Sequence, residues 1–183
     1  MLRQLPNLIT LMRIVLVLPV GVSVIREQYQ QAFWLFALAG FSDGVDGLLA
    51  RLFDWRSRFG AIADPVADKL LLVTTFVAGA VSGVWPWWLM VVVLIRDLVI
   101  FSGSVAYHLL VGPYQMAPTW LGKLCTFSQI GVVLLLLQGR FWLPLPPWSQ
   151  SLMVAFVALV SIVSGLHYVL VWSRKYREQR FGK

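Results

Sequence analysis

The sequence predicts an all-α integral membrane protein of six transmembrane helices, on three observations. Of its 183 residues 59% are hydrophobic and only 13% charged, whereas a soluble domain of this size carries about a quarter charged residues. Mean hydropathy is correspondingly high, +0.78. The apolar residues also gather into six runs near the roughly 20 helical residues that cross a hydrocarbon core, with polar or proline-bearing breaks between them.

The predicted spans are residues 8–25, 32–50, 61–84, 87–110, 121–137 and 149–172. Arg26-Glu27-Gln28 closes the first, Trp85-Pro86 the third, Gly112-Pro113 the fourth, and Leu143-Pro144-Leu145-Pro146-Pro147 precedes the sixth. Trp85, Trp87, Trp88, Trp120, Trp142 and Trp148 cluster at predicted span ends, where interfacial aromatics belong. Residues 2–7 read as a short amphipathic juxtamembrane segment at the surface. The first run resembles a signal peptide only superficially: Arg13 interrupts it and no small-x-small cleavage site follows, so a retained span is expected.

Basic residues orient the spans. Arg3, Arg51, Arg56, Arg58, Lys123 and the C-terminal cluster fall on one side, and only Arg26 and Arg140 on the other. The positive-inside rule then places both termini in the cytoplasm. The net charge of +7 does not point to nucleic acid, because Arg174, Lys175, Arg177, Arg180 and Lys183 follow the last apolar run directly. Such a tail is drawn to anionic headgroups by about 1 kcal/mol per charge. Cys125 is the single cysteine, so no internal disulfide can form and the sequence shows no zinc motif, and His108 and His167 read as ordinary helix or interface residues.

Asp43, Asp46, Asp64 and Asp68 stand out against this apolar background. An ionised aspartate at bilayer depth costs about 2.5–3.5 kcal/mol on insertion scales, so each needs a partner or a polar cavity. Spacings of three and four put each pair on one face of its helix. The turn at 52–59 would bring the two faces together at the cytoplasmic end. Four close carboxylates repel one another unless cations intervene, and hard oxygen donors suit Mg²⁺, Mn²⁺ or Ca²⁺ rather than zinc. Two such cations would match sites that clamp a phosphoryl group. Gly44, Gly47 and Gly60 allow close approach of a ligand, and Arg51, on the same face as Gly47, can grip a phosphate oxygen. The plainer reading is a salt-bridged helix pair in which Arg51, Arg56, Arg58 and Lys69 neutralise the aspartates.

Written out, Asp43-x2-Asp46-Gly47-x2-Ala50-Arg51-x8-Gly60-x3-Asp64-x3-Asp68 resembles the complete signature of the CDP-alcohol phosphotransferase (phosphatidyltransferase) family, matching at all eight fixed positions. Pro6-Asn7-Leu8-Ile9-Thr10 with Arg13 resembles that family's N-terminal motif. The resemblance covers nearly the whole chain as one domain, 1–183, with the active site in the second and third spans, about 39–72. It implies that Asp43, Asp46, Asp64 and Asp68 hold two divalent cations, Mg²⁺ or Mn²⁺, on the pyrophosphate of CDP-diacylglycerol. Asp46, Gly47, Ala50, Arg51 and Gly60, with Asn7 and Thr10, would line the CDP site. Asp68 would serve as general base toward the acceptor hydroxyl, with CMP leaving. It further implies a homodimer in the cell's inner (plasma) membrane.

Arg96 and Lys123 are the candidates for binding the acceptor's phosphate, because an arginine inside an apolar span is costly without a function. Arg96-Asp97, Gly103, Tyr107, Gly112, Pro118-Thr119, Lys123, Thr126 and Gln129 resemble the cardiolipin synthase branch, whose acceptor is phosphatidylglycerol. Phosphatidylglycerophosphate synthases, which use glycerol 3-phosphate, carry Arg-Glu here and a second arginine two turns on, where this chain has Asp97 and Ser104. Gly122-Lys123-Leu124-Cys125 departs from the cardiolipin pattern of Ser-Lys and an Asn. Two other classes remain open: a cation-coupled transporter, which would be expected to repeat its aspartate-rich pair in the second half, and a non-catalytic scaffold.

Overall fold

The computed structural model describes residues 5–52, 58–111 and 119–181. Within these, the side chains of residues 5–8, 43–52, 58–63, 65, 107, 108, 110, 111, 175, 176 and 178–181 lie outside the description. The described residues form six helices and no strand: α1 (Leu5–Ile25), α2 (Tyr29–Leu52), α3 (Arg58–Val81), α4 (Trp87–Val111), α5 (Trp120–Gln138) and α6 (Pro147–Phe181). Pro6 falls in the first turn of α1, where its missing N–H has no intrahelical partner to lose. Residues 5–7 of the expected surface segment are therefore the first turn of α1.

Helix ends follow their local chemistry. α1 closes in a Schellman turn: Gln28 N–H donates to Ser23 O at 2.8 Å and Glu27 N–H to Val24 O at 3.1 Å, with Glu27 left-handed at φ 58°. α3 closes the same way around Gly83, at φ 67°, with Val84 N–H donating to Gly79 O at 2.8 Å. Trp85 then folds back so that its Nε1 donates to Phe76 O at 3.0 Å. Its ring lies so near that a Cβ on Gly79 would sit 2.0 Å from Cζ2. Arg140 donates to Gly83 O at 3.1 Å, a cation at the negative end of α3, with its guanidinium 5.9 Å from the Tyr29 ring centre. Burial, and then Glu27, push the Tyr29 phenol above its ordinary pKa, while Arg140 pulls the other way.

The chain divides into two compact units, one of Met1–Trp87 with Leu134–Leu145 and the other of Trp88–Val133 with Pro146–Lys183. In the first, α1 packs on both α2 and α3, around buried Val20, Val24, Ala32, Phe36, Ala39, Leu71 and Phe76. The α1–α3 seam has one register: Thr10 meets Asp64, Arg13 meets Asp68, and the Gly21 backbone lies against Thr74. These offsets of 53–55 positions barely change along the seam, so α1 and α3 run parallel.

In the second unit, Arg96 meets Ser164 and the Gly103 backbone lies against Trp172, so α4 and α6 run parallel. α5 runs against α6, since Thr119 reaches Tyr168 and Gln129 reaches back to Ser161.

Among the described residues three stretches are long and apolar enough to cross a membrane: Trp87–Ala106, Trp120–Gln138 and Pro147–Arg174. α2 and α3 have the length, 24 residues each. Their joined ends, however, carry Asp43, Asp46, Arg51, Arg58, Asp64, Asp68 and Lys69. Among the described residues of α1 the apolar stretch is Ile9–Ile25. α6 runs 35 residues, about 52 Å, and carries its helix well past the expected end at 172 into the basic tail.

Candidate functional site

Asp64 and Asp68 lie one turn apart on α3 and both are held from α1. Thr10, fully buried, donates its hydroxyl to Asp64 Oδ1 at 2.5 Å. Arg13 Nη1 donates to Asp68 Oδ1 at 2.7 Å. The pairing follows from spacing: Thr10 and Arg13 are three apart, Asp64 and Asp68 four apart, and parallel helices keep such faces in step. Burial within the pair is lopsided, with the Arg13 side chain 0% exposed and that of Asp68 41% exposed. A buried cation thus holds one oxygen of a carboxylate whose side chain is itself part-exposed. Pairing also answers the insertion cost of an arginine within an apolar helix.

The remaining candidates of this unit are placed by backbone only. Asp43, Asp46, Gly47, Ala50 and Arg51 ride on the last turns of α2, Gly60 on the first turn of α3 and Asn7 on the first turn of α1, but their side chains lie outside the described residues. Among the described residues no three His, Cys, Asp or Glu side chains gather into a metal-sized cluster, and Asp43 and Asp46 are not among those residues. The donor set fits a hard divalent cation: all four groups are carboxylates, and the two described ones have an oxygen anchored from α1.

Arg96 and Lys123 belong to the second unit. Arg96 is 5% exposed and pairs with Asp97, itself 10% exposed, at 2.6 Å. Arg96 also donates to Ser164 Oγ at 3.2 Å, and its Nε, buried, has no hydrogen-bond partner among the described residues. Gly165 lies beside its stem, where a Cβ would make ordinary van der Waals contact with Arg96 Cγ at 3.6 Å. Lys123 is exposed, near the start of α5, where Gly122 packs against Tyr168, one turn of α6 beyond Ser164. Below this level Gln129 Nε2 donates to Ser161 Oγ at 3.2 Å, beside buried Cys125.

Sequence reasoning missed two features of these sites. Arg13 was visible only as an interruption of a span and as part of a motif, without a partner. The polar stripe of α6, Ser161, Ser164, Gly165 and Tyr168, went unread, although spacings of three and four were its signal.

Comparison with known proteins supplies the context. The chain matches the CDP-alcohol phosphatidyltransferase family over residues 3–164, a match that runs through both units. It is 34% identical over 177 residues to a Mycobacterium tuberculosis protein named "Probable phosphatidylglycerophosphate synthase", covering 91% of this chain and 80% of the relative. A Drosophila melanogaster "Probable cardiolipin synthase (CMP-forming)" is 28% identical over 181 residues, covering 90% of this chain and 56% of the relative. A Cereibacter sphaeroides "CDP-diacylglycerol--glycerol-3-phosphate 3-phosphatidyltransferase" is 33% identical over 141 residues, covering 74% and 64%.

Proposed function

The chain belongs to the CDP-alcohol phosphatidyltransferase family, and on that premise we propose that it transfers the phosphatidyl group of CDP-diacylglycerol to phosphatidylglycerol, forming cardiolipin and CMP. Family membership makes it a membrane enzyme of phospholipid biosynthesis acting on a CDP-activated alcohol. The transporter and scaffold readings give way to that assignment.

In this reading Asp43, Asp46, Asp64 and Asp68 hold two divalent cations, Mg²⁺ or Mn²⁺, which when bound neutralise charge on the pyrophosphate. Gly47, Ala50, Arg51 and Gly60, with Asn7 and Thr10, form the site of the CDP moiety, Arg51 through charge-assisted hydrogen bonds and Thr10, fully buried, through the Asp64 carboxylate it holds. Asp68 accepts the proton of the acceptor hydroxyl. The freed oxygen bonds to the lipid-linked phosphorus, the bond from that phosphorus to the bridging oxygen breaks, and CMP leaves with that oxygen. Arg96 and Lys123 hold the acceptor's phosphate.

One observation carries the choice of acceptor. Asp97 lies 2.6 Å from Arg96 and takes up part of its charge, and Ser104 stands where a second arginine would add to it. That balance suits a singly charged phosphodiester better than a phosphomonoester. The names of the Mycobacterium and Cereibacter relatives support the second reading, glycerol 3-phosphate as acceptor.

All six helices cross the inner membrane in this account, with both termini and the aspartates on the cytoplasmic side, and the protein works as a homodimer. Membrane vesicles test sidedness and metal dependence together. Inside-out vesicles supplied with CDP-diacylglycerol and Mn²⁺ should release CMP into the medium, EDTA should stop it, and right-side-out vesicles should release none. CMP release from right-side-out vesicles alone would reverse the orientation, and release that survives EDTA would remove the cations.

A further inference from the structure

We propose that Arg13 is a positioning residue for the phosphoryl-transfer site, fixing the Asp68 carboxylate from α1 while Thr10 fixes that of Asp64. The inference rests on the assignment of Asp64 and Asp68 to the cations and the proton, and it goes beyond that assignment by giving α1 a part in the chemistry. Two contacts carry it. Arg13 Nη1 meets Asp68 Oδ1 at 2.7 Å, and one turn earlier the Thr10 hydroxyl meets Asp64 Oδ1. Both donors are fully buried, and both acceptors are candidate ligands.

The geometry has a consequence for each carboxylate. An aspartate side chain turns about two bonds, so a free one spreads its two oxygens over several positions. With Oδ1 tied to a buried donor, each carboxylate has a narrower set of orientations in which to meet a cation or a proton. Groups that hydrogen-bond a metal-binding carboxylate typically account for 10–100-fold in metal affinity or activity. The shared register of the α1–α3 seam, continued at Gly21 and Thr74, turns two separate contacts into one rigid edge. Arginine suits the position because its planar fork remains charged and is weakly hydrated when buried.

The test uses purified full-length protein with Arg13→Met, Arg13→Gln and Arg13→Lys, read in two ways. Mn²⁺ binding is followed by the electron paramagnetic resonance of free Mn²⁺ without substrate, and CMP release is resolved into kcat and KM. Arg13→Met is expected to lower kcat about 100-fold and weaken Mn²⁺ binding about tenfold, with KM for CDP-diacylglycerol changed less than threefold. Arg13→Lys should bring kcat back to within about tenfold of wild type by restoring the charge. A folded Arg13→Met protein with wild-type kcat and Mn²⁺ affinity overturns the proposal. If that variant does not fold, Arg13→Gln decides on the same readings. Losses that track the unfolded fraction in every variant, with Mn²⁺ affinity of the folded fraction unchanged, make Arg13 merely structural and also overturn it. Failure of the wild type to release CMP would sink the transferase reading, while the Mn²⁺ comparison would still decide the role of Arg13.

Discussion

Replacing Asp64 by Asn should lower CMP release about a thousandfold while leaving expression and helical content near wild type, and Asp43→Asn should do the same. The magnitude is that of losing a preorganised electrostatic contact at a reacting phosphoryl or acyl group, about 10²–10³-fold, raised by the loss of a shared cation ligand. Asparagine keeps an oxygen to accept the Thr10 hydroxyl that now bonds Asp64, so the α1–α3 seam should survive. The charge that draws a cation is what disappears. Asp43 lies on the other helix of the pair, and an equal effect there would tie α2 and α3 into one site. Near-normal turnover by both variants in detergent would remove the metal-bound aspartates from the account.

The acceptor should separate the two named branches of the family by at least about tenfold in kcat/KM. Phosphatidylglycerol is expected to yield cardiolipin, and glycerol 3-phosphate to be a poor acceptor. A charge-assisted contact to phosphate is worth about 1.5–3 kcal/mol, so one missing cation accounts for a factor of that size. Ser104→Arg should therefore improve glycerol 3-phosphate use by about tenfold. Arg96→Met should depress both acceptors, and it also leaves Asp97, 10% exposed, without its cation. The double variant with Asp97→Asn should restore stability without restoring acceptor use, which separates binding from folding. Ready synthesis of phosphatidylglycerophosphate with no cardiolipin would overturn the acceptor while leaving the transferase intact.

Much of this architecture is legible in the linear chain because its punctuation is strong. Arg26-Glu27-Gln28 and Trp85-Pro86 mark the ends of the first and third runs, and the Schellman turns sit at the first of these and two residues before the second. The six expected runs each correspond to one helix. Asp43, Asp46, Asp64, Asp68 and Lys69, which make α2 and α3 chemically informative, also lower their mean apolarity below that of α4 and α5. The continuation of α6 past Trp172 was hidden by the polarity of the tail, which marks the end of apolar burial but not of helix.

The site divides along the same lines. The spacing of Asp64 and Asp68 is a property of one helix and can be counted. The partnership of Arg13 with Asp68 depends on a parallel register between helices 55 positions apart, which counting within either helix does not reach. The Arg96–Ser164 contact, 68 positions apart, is hidden for the same reason. The side chains of Asp43, Asp46 and Arg51 lie outside the described residues, so their part in the site rests on the motif.

The central claim is that a phosphatidyl group, with its phosphorus, passes from the nucleotide to an alcohol. CDP-diacylglycerol carrying ³²P only at the lipid-linked phosphorus, incubated with the purified protein, phosphatidylglycerol and Mn²⁺, tests it most directly. The label is expected wholly in cardiolipin, with unlabelled CMP released in equal amount. Label recovered in the nucleotide product, or no transfer of label to lipid with any acceptor alcohol, would contradict it.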